Sequence, residues 1–221
     1  GRGAGSLSPV RNRALDIVVS SFIEDVASAL VEATAGLDDV DAGALMNDVT
    51  VEAFHLCTAM IDADERHTTD ELEALIDAFG HRLPDTQLIM ATPDDLRGSS
   101  IVADRRHWLE QDSDLFGILV ESDLRNGTHL AERYYDRALD IAHVVPSLDA
   151  VTATAELRAI SSLRSRLLAG LRQREDLEPD VGHPTPPGAM AGSDRTGAPA
   201  APGTSATASA TEPPVATEPP D

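Results

Sequence analysis

"IDADERHTTDELEALIDAFG", residues 61–80, runs from the end of one apolar stretch, through an acidic turn, into a second apolar stretch at helical spacing. Thr68 and Glu71 stand at the S/T-x-x-E spacing of a capping box. The Thr68 side chain can accept from the Glu71 amide while the Glu71 carboxylate reaches back to the Thr68 amide. Asp70 suits the same first turn, because a carboxylate there meets the positive end of the helix dipole. A helix is therefore predicted to start at this point. Neither device accounts for Asp62 and Asp64, which need a second explanation.

The same order of residues returns in "VVPSLDAVTATAELRAISSL", residues 144–163. Asp149, Thr154, Glu156 and Leu157 follow Asp64, Thr69, Glu71 and Leu72 at one constant offset, and each set separates two apolar helical stretches. Two related helix-turn-helix hairpins are predicted. Thr68 aligns with Ala153, so the second hairpin lacks the capping box, and Thr152 or Thr154 is expected to cap instead. If the hairpins pack together, Asp62, Asp64 and Glu71 join Asp149 and Glu156 as hard oxygen ligands for calcium or magnesium. His67 would add a nitrogen suited to zinc. A solvated acidic loop, with its caps and dipole partners, explains the same residues without a metal. An EF-hand is not expected: Arg66 stands where a ligand is needed, and His67 replaces the glycine of the sharp bend.

Outward from the hairpins the chain reads as helix almost throughout. Ser8 as N-cap, Pro9 in the first turn and Gly36 as a stop frame a helix carrying Leu15, Val18, Val19, Phe22, Val26, Ala29 and Leu30. A second helix, "ALMNDVTVEAFHLCTAMI", is expected to break near Asp48. Thr92, Pro93 and Gly98 frame a short helix. "DRRHWLEQ", "SDLFGILVESDLRNG" and "HLAERYYDRALDIAHVV" follow as helices, the last ending at Pro146, and a final helix runs from about Thr154 to Arg174. No stretch alternates long enough for a sheet, so the expected fold class is all-α, a compact helical bundle with two related hairpins. The expected division is an N-terminal helix (1–36), a helical domain (37–175) and a tail (176–221). That tail holds ten of the fourteen prolines and almost no large apolar residue, and reads as a disordered acidic linker.

Thirty-eight acids against seventeen bases leave a formal charge of -21, a field that repels phosphate backbones and anionic lipid, so no nucleic-acid partner is expected. Every base is Arg. The absence of Lys excludes a P-loop or a Schiff-base lysine within these residues. The apolar stretch over residues 15–35 is interrupted by Asp16, Glu24, Asp25 and Glu32, so no membrane insertion is expected and the cytoplasm is the expected location. Cys57, the one cysteine, reads as core filler. Trp108 is expected to anchor the core or a helix crossing, and one of Tyr134 and Tyr135 to pack. Asp136 and Asp140, flanked by Arg133 and Arg137, read as a solvated ion-pair face. No nucleophile motif is present, and no catalytic residue is expected.

"AMIDADERHTTDELEALIDAF", residues 59–79, resembles the signature of the TerB-like family, whose members usually show a small residue, Asp-Gly and then Ser/Thr-x-x-Glu. Asp64-Glu65 takes the place of Asp-Gly here. The resemblance implies a compact all-helical fold with a duplicated helix arrangement, named for a tellurite-resistance protein, with an acidic face associated with divalent metal. Residues 45–172 are similar, further, to the region ahead of the ATPase module in actinobacterial AAA-type ATPases. That likeness implies a non-catalytic regulatory or partner-docking region of an ATPase or stress-response assembly. Its protein partner, or an ATPase module beyond Asp221, would be tethered through the proline-rich tail.

Overall fold

A computed structural model of the chain describes residues 8–36, 41–149 and 152–175, with side chains over 13–36, 41–149 and 152–172. Seven α-helices and no strand occur among the described residues: α1 Ser8–Ala33, α2 Ala42–Ile61, α3 Thr69–Phe79, α4 Pro93–Leu96, α5 Asp114–Asn126, α6 Leu130–Val144 and α7 Thr154–Glu175. The fold class is all-α, as the periodicity predicts. The tail expected over 176–221 lies outside the described residues.

Leu15, Val19, Phe22, Val26 and Leu30 recur every three or four positions along α1, and all five are fully buried. α1 packs most extensively on α6, and also on α3 and α2. The Phe22 ring meets Tyr134 of α6 edge-on, with centroids 5.3 Å apart, and Tyr134 also contacts Phe116 of α5. At about 2 kcal/mol for each fully buried side chain of this size, α1 is a major contributor to the one core it shares with the later helices. It is not an appendage to residues 37–175.

Local signals set most helix boundaries. The Asp41 side chain accepts from the Gly43 amide to start α2, and Thr92 and Asp95 form a reciprocal capping box at α4. The Ser113 side chain accepts from the Phe116 amide at the head of α5, and Gly127, at φ +66°, ends that helix in the left-handed conformation.

Three expectations are corrected. α2 is unbroken at Asp48, which is exposed and costs the helix only its modest propensity. "DRRHWLEQ" makes only a short 3-10 turn, Arg106–Leu109. The chain enters it through Asp104 at φ +59°, and the Arg105 and Arg106 amides are drawn to the Asp62 side chain. The backbone after α6 continues past Pro146 as a 3-10 turn, Val145–Leu148, because a proline at the head of such a turn loses no hydrogen bond.

Candidate functional site

The two hairpins are α2, the 3-10 turn Asp62–Asp64 and α3, and then α6, the 3-10 turn Val145–Leu148 and α7. Their bends are neighbours. Thr68 Oγ1 lies 2.6 Å from Asp149 Oδ1 and 2.9 Å from Glu71 Oε2. The predicted capping box is also formed: the Thr68 amide donates to Glu71 Oε2 at 2.9 Å, and the Glu71 amide to Thr68 Oγ1 at 3.4 Å.

A threonine hydroxyl has one hydrogen and cannot donate to two carboxylates. Both contacts are satisfied when a protonated Glu71 donates to Thr68 Oγ1 and Thr68 donates to Asp149. The environment favours that proton. Glu71 is only 1 % exposed, and its pKa is pushed up to about 8, first by desolvation and further by the nearby Asp149 and Glu156. The hydrogen bond from the Thr68 amide pulls in the opposite direction and does not prevail.

The second bend repeats half of this device. Glu156 is 2 % exposed, and its Oε2 accepts from the Ala153 amide at 2.5 Å. Thr152 and Thr154, the expected caps, lie exposed. Desolvation raises the Glu156 pKa, with Asp64 and Asp149 adding to it. Asp64 itself accepts from the Arg66 amide at 2.9 Å. Four of the predicted ligands, Asp64, Glu71, Asp149 and Glu156, are thus electrostatic neighbours. Among the described residues no ion pair neutralises them.

Asp62 does not stand with those four. Its Oδ1 accepts from His67 Nε2 at 3.0 Å, and its Oδ2 accepts from the Arg105 amide at 2.7 Å and the Arg106 amide at 3.4 Å. The Gly98 amide donates to His67 Nδ1 at 3.2 Å, which places the ring proton on Nε2, facing Asp62. Both imidazole nitrogens are committed, so His67 has none to offer zinc in this arrangement. Asp62 and His67 fasten the loop between α4 and α5 to the first bend. Among the described residues no group of three or more His, Cys, Asp or Glu side chains is placed to hold a metal ion. The five predicted ligands do not form one coordination set as they stand.

Sequence reasoning missed two features. Asp123 is 1 % exposed and caps α6 from outside the usual cap position: Oδ1 accepts from Thr128 Oγ1 at 2.6 Å and the Leu130 amide at 2.8 Å, and Oδ2 from the Ala131 amide at 2.9 Å. No local spacing advertises a cap seven residues ahead of the helix. The other is a cleft of about 760 Å³ between α2, the Arg106–Leu109 turn, α5 and Arg166 of α7. In its wall His55 and Trp108 stack at 3.9 Å with rings 6° from parallel. Trp108 is half-buried there; both tyrosines pack, Tyr134 fully buried and donating to Glu52 Oε1 at 2.5 Å, Tyr135 half-buried against the core. The expected ion-pair face is formed with α1 as well as within α6, since Arg137 bridges Asp25 and Asp140.

No helix among the described residues is long and apolar enough to cross a membrane. No protein-family model, no curated protein and no solved structure matches the chain.

Proposed function

We propose that the chain is a non-catalytic docking module of the TerB-like kind, holding a protein partner or a tethered AAA-type ATPase module. One observation carries the reading. The acidic residues that the sequence offers for chemistry are engaged in holding the fold together, while the cleft lined by Ile118 and a groove between α5 and α7, lined by Val120, Leu124 and Leu167, stay open. Asp62, Glu71 and Glu156 each accept at least one backbone amide hydrogen bond, and Asp149 is joined to Thr68. Two further features support the TerB-like assignment. The bends of two like hairpins are adjacent, and Glu65 sits at φ +62°, a left-handed position that favours glycine, where many TerB-like members carry Asp-Gly.

The test is site-specific photo-crosslinking of the full gene product in its native host, from the exposed α5 positions Ile118 and Leu124. The expected product is one discrete crosslink to a partner or to an ATPase module. Crosslinks from these positions only to the chain's own residues would defeat the proposal.

A divalent-cation module using the same bends is the second reading, favoured by the burial of Glu71 and Glu156 with no ion-pair partner among the described residues. A cation there would take the place of the proton on Glu71, and Asp62 would have to release its three donors to join it. Titration calorimetry with calcium, magnesium, manganese and zinc decides it, and absence of heat removes it.

A further inference from the structure

Among the described residues three buried side-chain polar atoms have no hydrogen-bond partner: His55 Nδ1, Trp108 Nε1 and Arg166 Nε. All three residues line the single cleft between α2, α5 and α7. Indole N–H and guanidinium Nε–H are obligate donors, so what is missing there is an acceptor. An unmet buried donor is costly enough that these two, with the unpartnered His55 Nδ1 beside them, point to a group that completes them. Arg166 is poorly paired besides, since its nearest carboxylate, Asp112, stands 3.8 Å away with 98 % of its side chain exposed.

The rim has the opposite character. Asp48, Asp112 and Asp114 stand around the opening, on a chain of net charge -21. A free anion would meet a repulsive field on entry. The chain's own 176–221 stretch, with seven acids and one Arg, has the wrong sign as well. The occupant must carry acceptors for the wall and positive charge for the rim. Between them Val51, Leu56, Leu115 and Ile118 give an apolar strip suited to the stems of long basic side chains.

We propose that this cleft docks an extended basic segment of a partner protein, its backbone carbonyls accepting from Trp108 and Arg166 and its Arg or Lys side chains meeting Asp48, Asp112 and Asp114. The assignment rests on the docking reading above and names the chemistry of the partner.

Trp108 is the only tryptophan, so its emission reports on this wall alone. The full chain is titrated with an end-capped peptide bearing three Arg, with the same peptide bearing Glu instead, and with inorganic phosphate. Expected is a saturable emission change with the Arg peptide only. Its affinity should fall about fivefold or more between 50 and 500 mM salt, because screening shortens the reach of the rim charges. It should fall about three- to tenfold in the Asp48→Asn/Asp112→Asn double variant, whose exposed sites leave the thermal melt unchanged. No saturable change, an equal response to the Glu peptide, a response to phosphate alone, or full affinity in the double variant would each overturn the proposal. If the peptide fails while α5 still crosslinks to a partner, the docking reading stands and only this assignment falls. If the crosslink also fails, both fall.

Discussion

Glu71→Gln separates a proton-bearing bend from an ionised one. Glutamine is uncharged at every pH and keeps one oxygen where Glu71 Oε2 meets the Thr68 amide and hydroxyl, so it removes the titrating charge from the bend. The wild-type carboxyl has a pKa of about 8 in the folded chain against 4.5 for the free side chain. For an acid raised in this way the folded state holds its proton more tightly than the unfolded state. Stability is greatest below the unfolded value, declines as pH rises from about 4.5 to about 8, and is level above that. Integrating the shift gives a cost of ~1 kcal/mol at pH 5, ~3 kcal/mol at pH 7 and ~5 kcal/mol above pH 8.5. Glu71→Gln escapes that cost, so urea denaturation followed by circular dichroism should show near-equal stabilities at pH 5 and a variant more stable by ~3–5 kcal/mol at pH 8.5. Glu156 is shifted in the same direction and leaves both proteins with a shared residual slope. A gap that does not widen with pH, or a variant weaker than wild type at pH 8.5, would refute the protonated-bend reasoning. Millimolar calcium or magnesium that raises wild type to the variant's level at pH 8.5, without affecting the variant, would show a cation serving where the proton is assigned.

Asp62→Ala strands three donors at the root of the α4–α5 loop and should cost ~3–5 kcal/mol. Hydrogen exchange at the Arg105 and Arg106 amides, which donate to Asp62, should accelerate before global unfolding. Gly117→Ala has open space within 4 Å and should stabilise α5 by ~0.5–1 kcal/mol, whereas a Cβ at Gly170 would come 2.6 Å from the Phe116 ring, so Gly170→Ala should destabilise by ~1–3 kcal/mol. Thermal melts of the two variants should shift in opposite directions. Cys57 is fully buried and its thiol pKa is pushed upward, so a thiol reagent should find no reactive group in the native chain and one equivalent in urea.

How much of this was legible in the sequence depends on the range of the interaction. Most of the helices were, and so were the starts of α3 and α4, because the signals are local: Thr68 to Glu71, Thr92 to Asp95 and the buried spacing of α1 all lie within one or two turns. So was the meeting of the bends, since each hairpin carries a buried acidic cap at the same place and must pack its apolar helices on a common core. What failed to show was where each carboxylate points. Asp62 and Asp64 are two residues apart and equally acidic, yet one serves the Arg105 and Arg106 amides more than forty residues away and the other the Arg66 amide. A carboxylate takes the nearest unmet N–H, and which N–H is nearest is a property of the assembled fold. The same holds for Asp123 and for the cleft around Trp108, whose walls come from distant segments.

The echo between the hairpins shows where a repeated pattern stops carrying information. Glu71 and Glu156 each accept an amide at the N-cap, and both are buried. The next residues diverge completely, since Leu72 is fully buried and Leu157 is 55 % exposed. Helix starts are fixed by backbone amides, which every hairpin presents in the same way, so the cap position is under the same physical demand twice. Which face a helix then buries depends on its neighbours. α3 lies against α1, whereas α7 lies against α5 and α6. The likeness therefore persists at the bends, where the carboxylates meet, and fades along the helices. Glu71→Gln and Glu156→Gln should accordingly shift stability with pH in the same sense, while Leu72→Ala should cost ~2–5 kcal/mol and Leu157→Ala close to nothing. Equal costs for the two leucine variants would mean that the resemblance extends into the core and that α7 buries the face assigned here to solvent.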